Sequence, residues 1–547
     1  MSHRRLPSRT TLTSLALALV ALTGCVSHVP RAVTAFDRPV DTVIAGGTIY
    51  DGGDTEPFIG DVALLGDRIV YAGPSRSFTA KRRIDARGMI VAPGFIDPHT
   101  HADVFLRAES ASERQNSAWL NQGVTTVVIG VDGGGTPDVA TDAMRLRQAG
   151  IGTNAIPFVG FGAVRSRVLG DADRLPDGEE LAQMQRLVAN AMCEGARGFS
   201  TGLFYAPQSF AETDEVIALA REAASRGGLY DTHQRDESSY SIGLLASVAE
   251  AIRIGREAGL PVHFAHIKAL GVDVHGQAEE VIAAVEQARA QGLEITADQY
   301  PWLASGTSLE ASLLPRWALD GGSDALRQRL ADRQDRASLV EAMAENLRRR
   351  GGAENMLLTS PGRPWTGRTL AEMAQIYGTS PVEAALTLIA RSIEAGGRGT
   401  NVASFNMTEQ DVALFMQQPW VVTSSDGSVG HPRMFASYPE KYRTFVRDKG
   451  TIDLATFIRQ SSGKVADIYG VEQRGYLKAG NFADVLVFDP ANYAPRADYV
   501  NPRELSVGVA ALFVNGTLAV RDSVATGELA GRVLLRETVP NCPPAPQ

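Results

Sequence analysis

From about Gly123 onward the chain alternates an amphipathic helical stretch with a short, continuously apolar one, and each changeover falls on a glycine. The junctions read NQG-VTTVVIG, QAG-IGTNAIPFVG, CEG-ARGFSTGL, SRG-GLYDTH, EAG-LPVHFAH and AQG-LEITADQYP, with glycines at 123, 150, 195, 227, 259 and 292. A helix stops readily where the backbone can turn left-handed, so each glycine suits the position just past a helix end. The stretches before them carry the 3.6-residue apolar pattern, as in Glu215-Val216-Ile217-Ala218-Leu219-Ala220 and Glu280-Val281-Ile282-Ala283-Ala284-Val285. Strict alternation of strand and helix makes a parallel sheet, and this many units in one region predict an α/β fold closed into a (β/α)8 TIM-like barrel over 93–470. A doubly wound open sheet is the rival, but no glycine-rich phosphate loop argues for it.

Both flanks follow another pattern. DTVIAGGTIYDG, GDVALLGDRIVYAG and RRIDARGMIVAPG before the barrel read as short strands joined by glycine and aspartate turns. GVEQRGYLKAGNFADVLVFDP, GVAALFVNGTLAVRDS and LAGRVLLRE after it read the same way. Segments 41–92 and 471–535 are therefore expected to pair into one small β-sandwich domain built from both chain ends, leaving 536–547 as a tail. From about 317 to 378 the barrel pattern breaks into charged helical sequence such as ALRQRLADRQDRASLVEAMAENLRRR. That is too long for a barrel loop, and it reads as an insertion beside the C-terminal face, either a lid or an ordinary surface excursion.

A length of 547 residues agrees with a large domain plus a smaller one, and a net charge of -9 offers no basic footprint, which excludes nucleic acid as a partner. At the N-terminus Arg4, Arg5 and Arg9 precede the apolar run Leu12 to Leu22, too short to span a bilayer as a mature helix, and residues 1–25 read as a signal peptide. It closes on Leu22-Thr23-Gly24-Cys25, which resembles the bacterial lipobox. That resemblance implies cleavage before Cys25, a lipid on its sulfur, a tether over 26–40, and an exported protein anchored to a bacterial membrane and facing the periplasm. A plain secretory peptide with a chance cysteine is the alternative. Only Cys193 and Cys542 remain, so neither a disulfide framework nor a cysteine-rich metal site can be built. One Cys193–Cys542 bridge is open to them in an oxidising compartment, although nothing in the sequence supports it.

Two of the nine histidines stand in PGFIDPHTHAD, where His99 and His101 lie two apart just after an apolar strand. Period-two alternation points both imidazoles the same way, and the C-terminal ends of barrel strands are where such enzymes place catalysis. His233 in GLYDTHQRDE and His266 in PVHFAHIKALG end later strands. Four histidines from three strand ends predict a metal site, with zinc the natural ion for neutral imidazole. His263, three residues before His266, is turned by alternation to the barrel exterior. Hydrolysis at a metal also needs a carboxylate to take a proton, and Asp426 in PWVVTSSDGS ends the last apolar strand; alone it would read as a turn aspartate.

His99-x-His101, His233, His266 and a final Asp426, framed by a split β-domain, resemble the amidohydrolase superfamily. GVTTVVIG, GARGFSTGLFYAP, THQRDES, FAHIKALG, DQYPW and SSDGSVGHPR resemble its N-acyl-D-amino acid deacylase (D-aminoacylase) branch, in the right order from about Asp41 to Asp489. The resemblance implies one or two zinc ions and hydrolysis of the amide of a small N-acyl amino acid. That branch usually carries a metal-binding cysteine after the third strand in Gly-x-Cys-Gly. Here the string is Gly130-Val131-Asp132-Gly133, so Asp132 stands in the thiolate's place as a harder ligand, with weaker metal binding or two ions as the consequence. Cys193, near a helix end, is no replacement for it. No lysine occupies the fourth strand, against the carbamylated-lysine version of the site.

The resemblance thus places one zinc at Asp132, His233 and His266 and a second position at His99, His101 and Asp426, with Asp426 as the base. It implies Lys268, Tyr300 and Arg433 as holders of the substrate carboxylate. D against L preference rests on the resemblance alone, and the sequence is silent on oligomeric state. Two other readings stay open: a dipeptidase or cyclic-amide hydrolase with the same ligands, and a metal-free binding lipoprotein whose catalysis has decayed.

Overall fold

The computed structural model describes residues 39–394 and 400–542. The signal peptide, Cys25 and the tether up to residue 38 lie outside the described residues. Among the described residues no helix is long and apolar enough to cross a membrane.

Eight barrel strands follow one another in parallel: Phe95–Asp97, Val124–Ile129, Asn154–Pro157 continued by Val159–Gly160, Gly198–Gly202, Leu229–His233, Val262–Phe264, Ile295–Gln299 and Val421–Thr423. The ring closes just past its first and last strands, where Thr100 bridges Gly427 in parallel and the Asp426 amide donates to the His99 carbonyl at 2.9 Å. All six junction glycines have positive φ, from +66° at Gly227 to +102° at Gly195, so the local stop signal is used at every one. Strand side chains facing outward, such as Val262, Phe264 and Ile295, pack with helix residues such as Leu219, Val248 and Val281 into one apolar shell.

The flanks pair into one nine-stranded sheet. Ile90–Pro93 joins antiparallel to Val485–Phe488, and an Arg68–Phe482 bridge draws the sheet over a core that includes Ile44, Val62, Val485 and Phe513. LAGRVLLRE does not join this domain. Its apolar residues pack against the barrel instead: Val533 bridges Ala155 in parallel and is buried in a core with Val127 and Ile151, Leu534 donates to the Ala155 carbonyl and Arg536 to that of Gly195. Its end is fastened by a Cys193–Cys542 disulfide that closes 349 residues of chain.

The insertion is wider than 317–378. It opens with strand Ala304–Ser308 and ends with Asn401–Phe405, which pair antiparallel, and Met356–Leu358 joins the second of them. Helices between these strands carry a separate core of residues such as Leu313, Met343, Leu370 and Leu388. The two outer strands escape the sequence pattern because ASGTS is small and polar and NVASF is only five residues long, and neither carries a strand periodicity of its own.

Candidate active site

At the C-terminal end of the barrel, turns after strands two, six and eight each hold one non-glycine residue with left-handed backbone: Asp132 (φ +52°), which thus follows the second barrel strand and not the third, His266 (φ +35°) and Asp426 (φ +46°). Such a conformation costs about 1–3 kcal/mol per residue and persists where surroundings over-determine it. At Asp132 the surroundings are a glycine-lined turn. The Gln208 side-chain amide donates to the Asp132 carbonyl at 2.9 Å, and a Cβ on Gly133 would stand 2.1 Å from the Gln208 oxygen. At His266 the amide is held by Asp298 Oδ1 at 3.0 Å.

These three turns bring the predicted ligands together. Asp132 Oδ1 lies 3.3 Å from His99 Nε2, 3.6 Å from His266 Nε2 and 3.8 Å from His233 Nδ1. His101 Nε2 lies 3.6 Å from Asp132 Oδ2 and 3.3 Å from Asp426 Oδ1. Three overlapping groups, His99–His101–Asp132, His99–His266–Asp426 and Asp132–His233–His266, each offer ligand atoms within 4.8 Å of one another. Both ring nitrogens of His99, Asp132 Oδ1 and His233 Nε2 are buried without a hydrogen-bond partner among the described residues. Buried polar atoms are normally satisfied, so the orphaned His99 Nε2 and Asp132 Oδ1, 3.3 Å apart where these groups overlap, fit a cation.

The electrostatics point the same way. Burial, helped by His266 and Lys268, outweighs Glu237 and Asp132 and pushes His233 down to about 3, so its imidazole is neutral, as ligation requires. Burial would raise Asp132, but His99, His266 and His233 hold its carboxyl well below the usual range. Asp426 is likewise held low against burial, chiefly by Arg433, whose Nη1 lies 2.7 Å from Oδ2. The Lys268 ammonium donates to Glu237 Oε1 at 2.7 Å and to His266 Nδ1 at 2.6 Å. Nδ1 is therefore the acceptor, and Nε2 faces His233 Nδ1 at 2.9 Å.

Of the residues implied for the substrate carboxylate, Tyr300 is buried with its hydroxyl unpartnered among the described residues, and the Arg433 guanidinium lies 5.0 Å from its ring. Lys268 reaches the same cavity but is committed to Glu237 and His266. His263 is not on the barrel exterior. It is fully buried, meeting Thr296 Oγ1 at 2.7 Å and Asp298 Oδ2 at 3.1 Å inside the barrel. Its strand ends at Phe264, and the left-handed turn at His266 breaks the alternation that was extrapolated across it.

Glu237, Asp298 and Asp231 are the acids that the sequence reading missed. Asp231 and Asp298 sit within strands, two residues before His233 and Tyr300, so period-two alternation could have found both. Glu237 lies in a loop, and only its spacing of four from His233 hints at a role. A cavity of about 610 Å3 opens over the site, walled on one side by the insertion through Ser305, Arg350, Thr359 and Asn401.

Residues 82–520 match the model described as "Amidohydrolase family". The chain is 32% identical over 528 residues to the D-aminoacylase of Alcaligenes xylosoxydans xylosoxydans, covering 91% of this chain and 98% of that protein. It is 34% identical over 533 residues to that organism's N-acyl-D-aspartate deacylase, covering 92% and 96%. Its structure is similar to that of the N-acyl-D-glutamate deacylase of Bordetella bronchiseptica complexed with zinc and a phosphonate inhibitor that mimics the reaction's tetrahedral intermediate. There the TM-score is 0.77 and the identity 28%, over 91% of this chain and all of that one.

Proposed function

The chain belongs to the amidohydrolase family, and from that premise we propose that it hydrolyses the amide bond of N-acyl-D-amino acids with zinc, releasing a carboxylate and a free D-amino acid. The observation that carries this reading is the convergence of four imidazoles with Asp132 and Asp426 around orphaned ligand atoms at the mouth of a barrel. Asp132, His233 and His266 would hold one zinc ion, and His99, His101 and Asp426 a second position. Bound zinc lowers the pKa of water toward neutrality and polarises a carbonyl.

The chain's own residues supply the rest. Asp426 Oδ1 takes a proton from the attacking water and returns it to the departing amine. Tyr300 Oη, a donor at the cavity wall with no partner among the described residues, and Arg433 beside it receive the carboxylate next to the scissile amide. When Arg433 turns to that carboxylate, its hold on Asp426 loosens and the base strengthens. Lys268 and Glu237 position His266, and Asp298, steadied by His263, fixes the His266 backbone.

Export with a lipid on Cys25 is part of the same proposal. It rests on the lipobox-like Leu22-Thr23-Gly24-Cys25, and the Cys193–Cys542 disulfide, a bond that persists outside reducing cytoplasm, supports it. Labelling cells with a radioactive fatty acid tests the anchor, with Cys25→Ala as the unlabelled control; equal labelling of both would refute it.

For the activity, zinc-loaded protein lacking residues 1–25 is given paired N-acetyl-D- and N-acetyl-L-amino acids, and amine release is measured with Asp426→Asn as control. Release from the D series, abolished in the variant, is expected. Zinc binding without release from either series would sink the deacylase reading and leave dipeptides and cyclic amides to try.

A further inference from the structure

We propose that the N-terminal end of the barrel carries a second ligand site, an anion pocket built on Arg197, Arg289 and Arg536 that takes a phosphate group, free or esterified. It stands whichever amide the enzyme hydrolyses. A cavity of about 660 Å3 opens at this end, within the range of small-molecule sites. Leu229 and Ile295 in its wall begin the fifth and seventh barrel strands, whose far ends lead to His233 and Tyr300. The length of the barrel therefore separates it from the metal ligands.

Three guanidiniums line the cavity, each brought by a different part of the chain. Arg197 directly precedes the fourth strand, Arg289 lies in the last turn of the helix Ala278–Ala290, and Arg536 belongs to the tail. Arg197 Nη1 donates to the Gly470 carbonyl at 3.1 Å and Arg536 Nη1 to the Arg226 carbonyl at 2.7 Å, both neutral oxygens. Neither arginine forms an ion pair among the described residues, and Arg289 meets only Glu286, at 3.7 Å. The Nε atoms of Arg197 and Arg289 are buried without a hydrogen-bond partner among the described residues. Two exposed acids, Glu294 and Asp467, also line the cavity, but neither pairs with these arginines, and Asp467 accepts from the Tyr476 hydroxyl. Burial and then the charge of Arg536 push Arg197 down to about 10, against the pull of Glu472.

The fold keeps these like charges together. Cys193 lies four residues before Arg197 and Cys542 six after Arg536, so the Cys193–Cys542 disulfide fastens the two segments that deliver the pair. The Arg536 amide is tied to the Gly195 carbonyl at 3.0 Å in the same place. Half-buried guanidiniums close enough to perturb one another, with no acid between them, are unfavourable until an anion joins them. Forks arriving from three parts of the chain suit the several oxygens of a phosphate, whereas a single fork satisfies a carboxylate. Apolar wall from Leu229, Pro261 and Ile295 leaves a surface for the organic group of an ester.

The test titrates the zinc-loaded protein calorimetrically with inorganic phosphate and with sn-glycerol 3-phosphate, in wild type, Arg197→Gln, Arg536→Gln and Arg350→Gln, the last in the cavity over the metal site. Arg197→Gln and Arg536→Gln should each weaken binding at least tenfold while keeping the near-ultraviolet circular dichroism of wild type. Arg350→Gln should change it less than threefold. Sedimentation with vesicles of phosphatidylglycerol, against vesicles of phosphatidylcholine alone, separates the sources of the phosphate. Retention on phosphatidylglycerol that both lower variants lose assigns the pocket to a lipid headgroup; binding of the soluble probes without retention assigns it to a free phosphate or soluble ester. Affinity unchanged in both lower variants, loss confined to Arg350→Gln, or no binding of any of these probes overturns the pocket. Should the variants not fold, phenylglyoxal labelling of wild type decides: phosphate should slow modification of Arg197 and Arg536 at least tenfold, and equal labelling with and without phosphate refutes the site.

Discussion

Removing Asp426 should do two separable things, because it is both the proposed base and the charge partner of Arg433. The pair is 2.7 Å apart, with side chains 7% and 2% exposed. At that distance and an effective dielectric constant of about 20, the attraction is roughly 6 kcal/mol, and deleting one member of a buried pair typically costs about 3–5 kcal/mol, much of it the stranded charge. Asp426→Ala and Arg433→Met should therefore each destabilise the metal-free barrel by about 3–5 kcal/mol in urea unfolding. The double variant should fall short of the sum by about 3 kcal/mol, since it strands nothing. Activity should behave differently. A general base contributes about 10^2–10^4 in rate, so Asp426→Ala loses that much amine release, and adding Arg433→Met costs little further stability and does not restore turnover. Additive stability losses would show that the pair does not hold Asp426, and a double variant with more than a tenth of wild-type kcat would refute Asp426 as the base.

Three further outcomes are expected. Zinc removal by a chelator should abolish activity and zinc should restore it, while Asp132→Ala should weaken zinc at least tenfold in competition with a chromophoric chelator; unchanged affinity would take Asp132 out of the metal site. His263→Ala should lower kcat about 10–100-fold with zinc still bound, as loss of a partner behind a metal ligand does, and wild-type kcat in that variant would make His263 mere packing. Lys441 is fully buried against Thr423 and Gln460, and burial pushes it from its ordinary 10.5 down to about 7. Between those values the unfolded chain binds the extra proton and the folded one does not, so stability should rise with pH from about 7 to about 10.5. Lys441→Met should flatten that slope in unfolding titrations, and an identical slope in the variant would refute the assignment.

What the sequence determined by itself is what short-range physics can encode. Left-handed glycines after amphipathic helices marked the barrel units, and strand ends carrying His99, His101, His233, His266 and Asp426 marked the chemistry, because both signals lie within a few residues of the groups they concern. Tertiary structure decided what depends on residues distant in sequence or on a turn that resets the alternation. The left-handed backbone at His266 placed His263 inside the barrel. Pairing of ASGTS with NVASF widened the insertion until it walled the cavity, and the tail returned 349 residues along the chain to meet Cys193. Charge matching belongs to the same class: Lys268 found Glu237 and Arg433 found Asp426, while Arg350 found no acid among the described residues. No periodicity announces such pairs, because the energy that makes them arises only when the folded chain buries the charges together.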